Sequence, residues 1–302
     1  MRKGLLVYNP VAGGRTHEGE IRGVVARSRE RGLFLHERPT TGPGSATEIV
    51  KRSLGEDLDR IVVAGGDGTI GEAAEALLGS ARPLAVLPTG TTNVIAREYG
   101  LGKTLAEAER HILSPRTRPL TAWRAAGRAS LIGMGVGFDA RVMTNIVPFL
   151  KRHFGRTGIG WTATREWLRY EFPPIEVTGI DADGKPFTRE ATFVLSANTK
   201  RYGGDPVLSP HADPESDLLD LVLFTSRSTK TLMLFYHHLS RGKAGHLRDE
   251  GVSRMAVREF TARSKAGYEV EVQVDGDAAG KTPATIGPAA GSVRIVVPEQ
   301  GM

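Results

Sequence analysis

The sequence of 302 residues has no cysteine, which excludes disulfides, thiolate metal sites and a cysteine nucleophile. It has no apolar run of membrane-spanning length. After Arg2 and Lys3 only Leu5 to Tyr8 is apolar, too short for a signal-peptide core or a bilayer span. The expectation is a cytoplasmic chain whose membrane contact, if any, is peripheral at the inner surface. Blocks of five or six like charges are also missing, as are internal repeats and long flexible linkers. Lys plus Arg number 40 against 34 Asp plus Glu, a surplus that reads as a solvated surface and singles out no anionic partner. No nucleic-acid partner is expected.

What is present is ordinary in bulk, with 40% hydrophobic and 25% charged residues, and unusual only in its 37 glycines, which cluster. A chain of this length is expected to form two lobes, each burying its own core. The first third alternates short apolar runs with helical patterns. Strands are predicted at Leu5–Val7, Leu33–Leu35, Ile61–Ala64 and Leu84–Leu87. Helices are predicted at Glu18–Arg31, Ala46–Leu54, Thr69–Leu78 and from near Thr92. This βα alternation predicts a parallel sheet. After about Pro119 the pattern changes to a hairpin, Leu120–Arg124 with Ala129–Met134. Strand runs follow at Ile175–Ile180, Ala191–Ala197, Leu219–Phe224, Met255–Thr261, Tyr268–Val274 and Val293–Val297. The expected division is an α/β nucleotide-binding domain, residues 1–121, followed by a mainly antiparallel β-rich substrate domain, residues 122–302.

Three loops follow strands of the first domain: Asn9-Pro10-Val11-Ala12-Gly13-Gly14, Gly65-Gly66-Asp67-Gly68-Thr69, and Pro88-Thr89-Gly90-Thr91-Thr92-Asn93. In an open parallel sheet the carboxyl ends of the strands share one edge, so all three loops are expected to line one crevice. Glycines let backbone N–H groups approach phosphate oxygens, and the following helix adds a partial positive charge. Each loop alone could be an ordinary turn; their coincidence on one edge carries the signal. Asp67 would repel a phosphate unless a cation or a hydroxyl lies beside it, which points to a magnesium-nucleotide. The second loop is not a Walker A loop, since no Gly-Lys-Thr or Gly-Lys-Ser follows. Gly133 to Gly137 lacks the spacing of a dinucleotide fingerprint.

The three blocks, in this order, resemble the catalytic domain of the diacylglycerol kinase and sphingosine kinase superfamily, and its bacterial lipid kinases most closely. Gly135-Val136-Gly137-Phe138-Asp139-Ala140 and Val274-Asp275-Gly276-Asp277 extend the resemblance into the second half. It implies an open parallel-sheet domain of the NAD kinase and diacylglycerol kinase type, then a β-sandwich, with a nucleotide cleft between them. It further implies ATP and Mg2+ as cofactors and a lipid hydroxyl as acceptor; whether the chain forms a homodimer the sequence leaves open. Candidate nucleotide contacts are Asn9, Pro10, Gly13, Thr40, Gly65, Gly66, Asp67, Gly68, Thr69 with Ile70 and Gly71 beyond it, and Thr91, while Asn93 is expected to brace its loop.

The family's general base lies in an Asp-Gly-Glu turn, which here reads Asp275-Gly276-Asp277, so the matching carboxylate is Asp277. Asp275 and Asp67 are alternative catalytic acids, and a plain hairpin turn is a competing reading. The family's structural metal loop is altered as well. Aligned on Leu218-Leu219-Asp220, its Asp falls on Ser216 and its Gly on Asp217, leaving Asp213 and Asp217 as metal candidates. A greasy groove is offered by Phe149, Phe154, Trp161 and Trp167, and by Leu232, Leu234, Phe235 and Tyr236. The first set is interleaved with Arg152, His153, Arg156, Arg165 and Arg169, which suits an anionic membrane surface, although helix cores would use the same residues. Two rival readings are an NAD kinase, disfavoured because no Asn-Glu pair follows the glycine loop, and a nucleotide-binding regulator without catalysis.

Overall fold

A computed structural model describes residues 2–145, 165–242, 244–265 and 267–299 of the chain. The chain divides into two units, Met1–Ala122 with Ala290–Met302, and Trp123–Ala289. In the first unit the apolar runs become strands β1 (Arg2–Tyr8), β4 (Leu33–Pro39), β5 (Arg60–Gly65) and β6 (Leu84–Pro88), all parallel, with a small hairpin, β2 (Val11–Ala12) and β3 (Arg15–Thr16), after β1. The sheet order is β6-β5-β1-β4. Strands β5 and β6 are buried throughout, as expected of parallel strands covered on both faces.

The helices between them are α1 (Glu18–Glu30), α2 (Ser45–Ser53) and α3 (Asp67–Leu77). Helix α1 turns Ile21 and Val24 into a core with Leu6, Leu33, Val62 and Leu87. Two short helices follow β6: α4 (Val94–Glu98), and α5 (Leu105–Glu109), which begins with a capping box of Thr104 and Glu107. Glu109 ties α5 to α1 through a two-pronged pair with Arg27, at 2.8 and 2.7 Å.

Strand β7 (Thr117–Ala125) leads into the second unit, where all the strand pairings involving β8 to β16 are antiparallel. These strands are β8 (Arg128–Ser130), β9 (Met134–Val136), β10 (Ile175–Asp181), β11 (Pro186–Ala191), β12 (Phe193–Ala197), β13 (Leu219–Phe224), β14 (Val252–Ser264), β15 (Glu271–Val274), β16 (Asp277–Lys281) and β17 (Ala284–Val296). Every residue of β13 is buried because its two faces enter different cores. Leu219, Leu221 and Leu223 pack with Trp123, Val136 and Phe260, while Val222 and Phe224 pack under helices α6 (Phe138–Asn145) and α7 (Thr229–Ser240).

The division differs from the expected one at the C-terminus. Residues 290–302 return to the first unit, and Ile295 of β17 pairs parallel with Leu84. A period-two apolar run announces a strand but not the sheet that it joins. The hairpin expected over Ala129–Met134 is also interrupted. Ser130 closes β8 opposite Trp123, and β9 starts only at Met134, because the N–H groups of Leu131, Ile132 and Gly133 turn toward a side chain rather than a neighbouring strand.

Candidate functional site

In the first unit the chain runs from β1 to β4 on one side and returns to β5 on the other, so the sheet has its switch point between β1 and β5. Ligands of open α/β sheets bind outside the carboxyl ends of the strands at such a point. The strand ends are in step, with Tyr8 opposite Ala64 and Gly65 opposite Pro88. Backbone bonds from Asn9 N–H to Ala64, Thr40 N–H to Tyr8 and Thr89 N–H to Gly65 hold the loops together.

The glycines are there first for packing. A Cβ on Gly90 would lie 2.5 Å from the Gly66 Cα, and one on Gly13, at φ +59, would lie 2.9 Å from the Thr89 carbonyl oxygen. One on Gly65 would strike the Thr69 side chain at 2.6 Å, whereas one on Gly71 would meet nothing within 4 Å. The three loops thus touch one another at positions where only glycine fits.

Asp67, the first residue of α3, is occupied. Its Oδ2 accepts hydrogen bonds from Thr92 Oγ1 at 2.8 Å and Val94 N–H at 3.1 Å, and its Oδ1 from Ile95 N–H at 3.2 Å. It therefore caps α4 from a distance of 27 residues. Asn93, the residue in the cap position, sits in the left-handed region with no side-chain cap bond. Its amide is bound to Gly90 instead, accepting from N–H at 3.0 Å and donating to C=O at 2.9 Å. Asn9 closes its own turn, accepting from Val11 N–H at 3.0 Å.

What stays open is the start of α3. No side chain caps it, and its first N–H groups, at Gly68 and Thr69, have no partner within the helix. That end favours an anion. Pro10 lies in the first loop, Ile70 is buried behind the helix start, and Thr91 is exposed on the third loop. A pocket of about 570 Å³ on the α1 side of the third loop is lined by Gly13, Gly19, Gly23, Thr89 and Lys103 among others. The buried Thr89 hydroxyl has no hydrogen-bond partner there.

In the second unit Asp275 and Gly276, at φ 53 and 86, form a two-residue turn between Val274 and Asp277, which pair across it. The turn is a left-handed hairpin turn of the Asp-Gly kind. Its two acids have different surroundings. The Asp275 carboxylate accepts four hydrogen bonds, from Ser130 Oγ and Leu131 N–H at 2.8 Å, Gly133 N–H at 2.9 Å and Ile132 N–H at 3.0 Å. Burial pushes its carboxyl up, against these donors, which favour the ionised form. Asp277 is half-buried on the far side of the turn.

Neighbours that the sequence reading missed hold this turn. Gln273 accepts from Gly276 N–H at 2.7 Å and donates to Asp139 Oδ2 at 2.9 Å, and the Tyr202 hydroxyl donates to Asp139 Oδ1. Arg128 donates to the Val274 carbonyl at 2.7 Å and to the Asp277 carbonyl at 3.3 Å. Burial pushes the Asp139 carboxyl up to about 7, against the Gln273 amide. A polar residue at an inward position of β15 was the available signal for Gln273, which is 4% exposed.

The metal candidates are not brought together. Asp217 is paired with Arg258 at 2.7 Å, Asp213 accepts from Glu215 N–H at 3.0 Å, and Ser216 Oγ accepts from Leu218 N–H at 3.1 Å. Among the described residues no three His, Asp or Glu side chains gather to hold an ion, and this donor set does not fit the family's structural metal. Of the expected greasy groove, Phe149, Phe154 and Trp161, with Arg152, His153 and Arg156, lie outside the described residues. Leu232 and Phe235 are core, as the helix-core alternative has it, whereas Leu234 faces outward.

Residues 3–125 match the diacylglycerol kinase catalytic domain, and residues 133–297 match the YegS C-terminal NAD kinase beta sandwich-like domain. The chain is 24% identical to a diacylglycerol kinase of Bacillus subtilis (strain 168), covering 99% of this chain and 98% of that one. It is 29% identical to a YegS-like lipid kinase of Klebsiella pneumoniae (strain 342) over 73% of each. A crystal structure of a diacylglycerol kinase from Bacillus anthracis str. Sterne superimposes with a TM-score of 0.71 at 21% identity, covering 98% of this chain and 97% of that one. That likeness shows the fold, an α/β domain followed by a β-sandwich-like domain. With both domain families matched in order, the chain belongs to the diacylglycerol kinase catalytic-domain superfamily, in its bacterial lipid-kinase branch.

Proposed function

We propose that this chain transfers the γ-phosphate of ATP to a hydroxyl group of a diacylglycerol-like lipid. The observation that carries the nucleotide half is the uncapped start of α3 at the switch point of the sheet, ringed by three loops that only glycine lets pack together. Gly68 and Thr69 would offer backbone N–H groups to phosphate oxygens, with Asn9, Gly13, Thr40 and Thr91 around them. Magnesium, bound with the nucleotide, would neutralise phosphate charge. Asp67 takes the part of a brace, since Thr92 of the third loop and the first two N–H groups of α4 already occupy its oxygens.

The lipid half rests on the lipid-kinase relatives. The acceptor oxygen bonds to phosphorus as the bond from phosphorus to the ADP oxygen breaks, and the hydroxyl proton passes to the Asp277 carboxylate. Asp277 is chosen over Asp275 because the latter is saturated by backbone donors. Contact with the bilayer is proposed as peripheral; no described helix is long and apolar enough to cross.

The test is labelled ATP with a total lipid extract, diacylglycerol and NAD as separate acceptors. Label in a chloroform-soluble product supports the reading, label in NAD selects the soluble-substrate rival, and ATP binding without transfer selects the regulator. Asp277→Asn is expected to abolish transfer while ATP binding persists; full activity in that variant would remove Asp277 as the base.

A further inference from the structure

Helix α7 buries Leu232, Phe235 and Leu239 against the second unit's core. Its opposite face carries Lys230, Met233, Leu234, His237 and Arg241, all exposed and spaced to form one outward stripe. A helix packed on a globular core normally turns polar residues outward. Here the middle of the outward stripe is apolar, with Met233 48% and Leu234 39% exposed, and its two ends are basic. Leu168, 74% exposed, stands near the start of the helix, because its neighbour Trp167 donates to the Thr229 carbonyl at 3.0 Å.

Along the chain the charged residues flanking this stripe have one sign. From Leu221 to Arg248 the sequence contains Arg227, Lys230, Arg241, Lys243 and Arg248 and no Asp or Glu. Asp249, the carboxylate that reaches the helix, is bonded to His238 on its flank at 2.7 Å. A second copy seated on this face would set basic residues against basic residues, which is repulsive. An anionic bilayer meets both features: the apolar centre enters the acyl boundary while Lys230 and Arg241 stay among the headgroups.

We infer that the outward face of α7 is the surface by which this protein docks on anionic lipid bilayers. The inference deepens the lipid-acceptor reading by naming where the bilayer is met, and its test measures binding rather than turnover, so the two can fail separately. The full chain would be sedimented with vesicles of phosphatidylcholine, with and without phosphatidylglycerol, at low and high salt. The expected result is binding to the anionic vesicles only, weakened by salt. Met233→Asp with Leu234→Asp should weaken it about tenfold or more. Lys230→Glu with Arg241→Glu should do the same, and Met233→Gln with Leu234→Gln should give a smaller loss. All are exposed, so thermal melting should be unchanged, as should transfer to a short-chain acceptor in solution. The inference is overturned if the parent ignores anionic vesicles or binds neutral ones equally. It is also overturned if the variants bind as the parent does, or if they change only a dimer fraction seen in analytical ultracentrifugation.

Discussion

The two Asp-Gly loops, one in each unit, look alike in sequence and use their first acid in the same way. Asp67 holds the N–H groups of Val94 and Ile95, and Asp275 holds those of Leu131, Ile132 and Gly133. They differ in what remains afterwards. The loop after β5 opens on a helix start that suits an anion, and the turn between β15 and β16 carries a second, half-buried acid, Asp277. Conspicuous acids beside glycines are here first of all devices for holding backbone.

Removing the holding acid of the second unit should have the largest effect. Asp275→Ala leaves three part-buried N–H groups and a hydroxyl without this acceptor, at up to about 1–3 kcal/mol for each group left unsatisfied. The loss of several kcal/mol should appear in denaturant unfolding as collapse of the second unit. Comparable losses in Asp275→Ala and Asp277→Ala would break the comparison. Next is the second acid of the turn. Asp277→Asn should lower kcat by about 10²–10⁴-fold, the usual worth of a general base.

Asp67→Ala should be milder, costing about 0.5–2 kcal/mol as the loss of a helix cap. It should also raise KM for ATP as the third loop loosens. Asp67→Asn, which keeps one acceptor oxygen, should restore part of both; if it lowers kcat alone, Asp67 is catalytic and the likeness to Asp275 fails. The pH dependence of stability concerns Asp139. Its folded pKa, about 7, lies above the ordinary 3.8, so its contribution to stability is full below pH 4 and is lost as pH rises through 7. Unfolding measured from pH 4 to 8 should show this decline, flattening above 7, and Asp139→Asn should remove it. An unchanged profile would mean that another group carries the slope.

Much of the fold was legible because its signals are local. Apolar runs placed β1, β5, β6 and β13, and helical spacing placed α1 to α3. The hairpin β10–β11 was half seen: its first strand was predicted, but its second, Pro186–Ala191, is polar at its outward positions and was missed except for Ala191. The Asp275–Gly276 turn was legible as a hairpin and as a site, and it is a hairpin whose role in catalysis stands as a proposal. Asn93 as a brace followed from its loop; Gln273 and Asp139 as supports of a turn did not, since their partners are 134 residues apart.

By itself the sequence determined the βα order, the three glycine loops, the family and the Asp275-Gly276-Asp277 variant of its turn, because residue type and spacing along the chain carry them. Only the tertiary structure decided that residues 290–302 return to the first unit, that Gly90 is needed against Gly66, and that Met233 and Leu234 face outward. It also decided which acids are spent. A carboxylate is free or bound according to the donors that reach it, and those of Asp275 come from 142 to 145 residues away, a distance that no local pattern records.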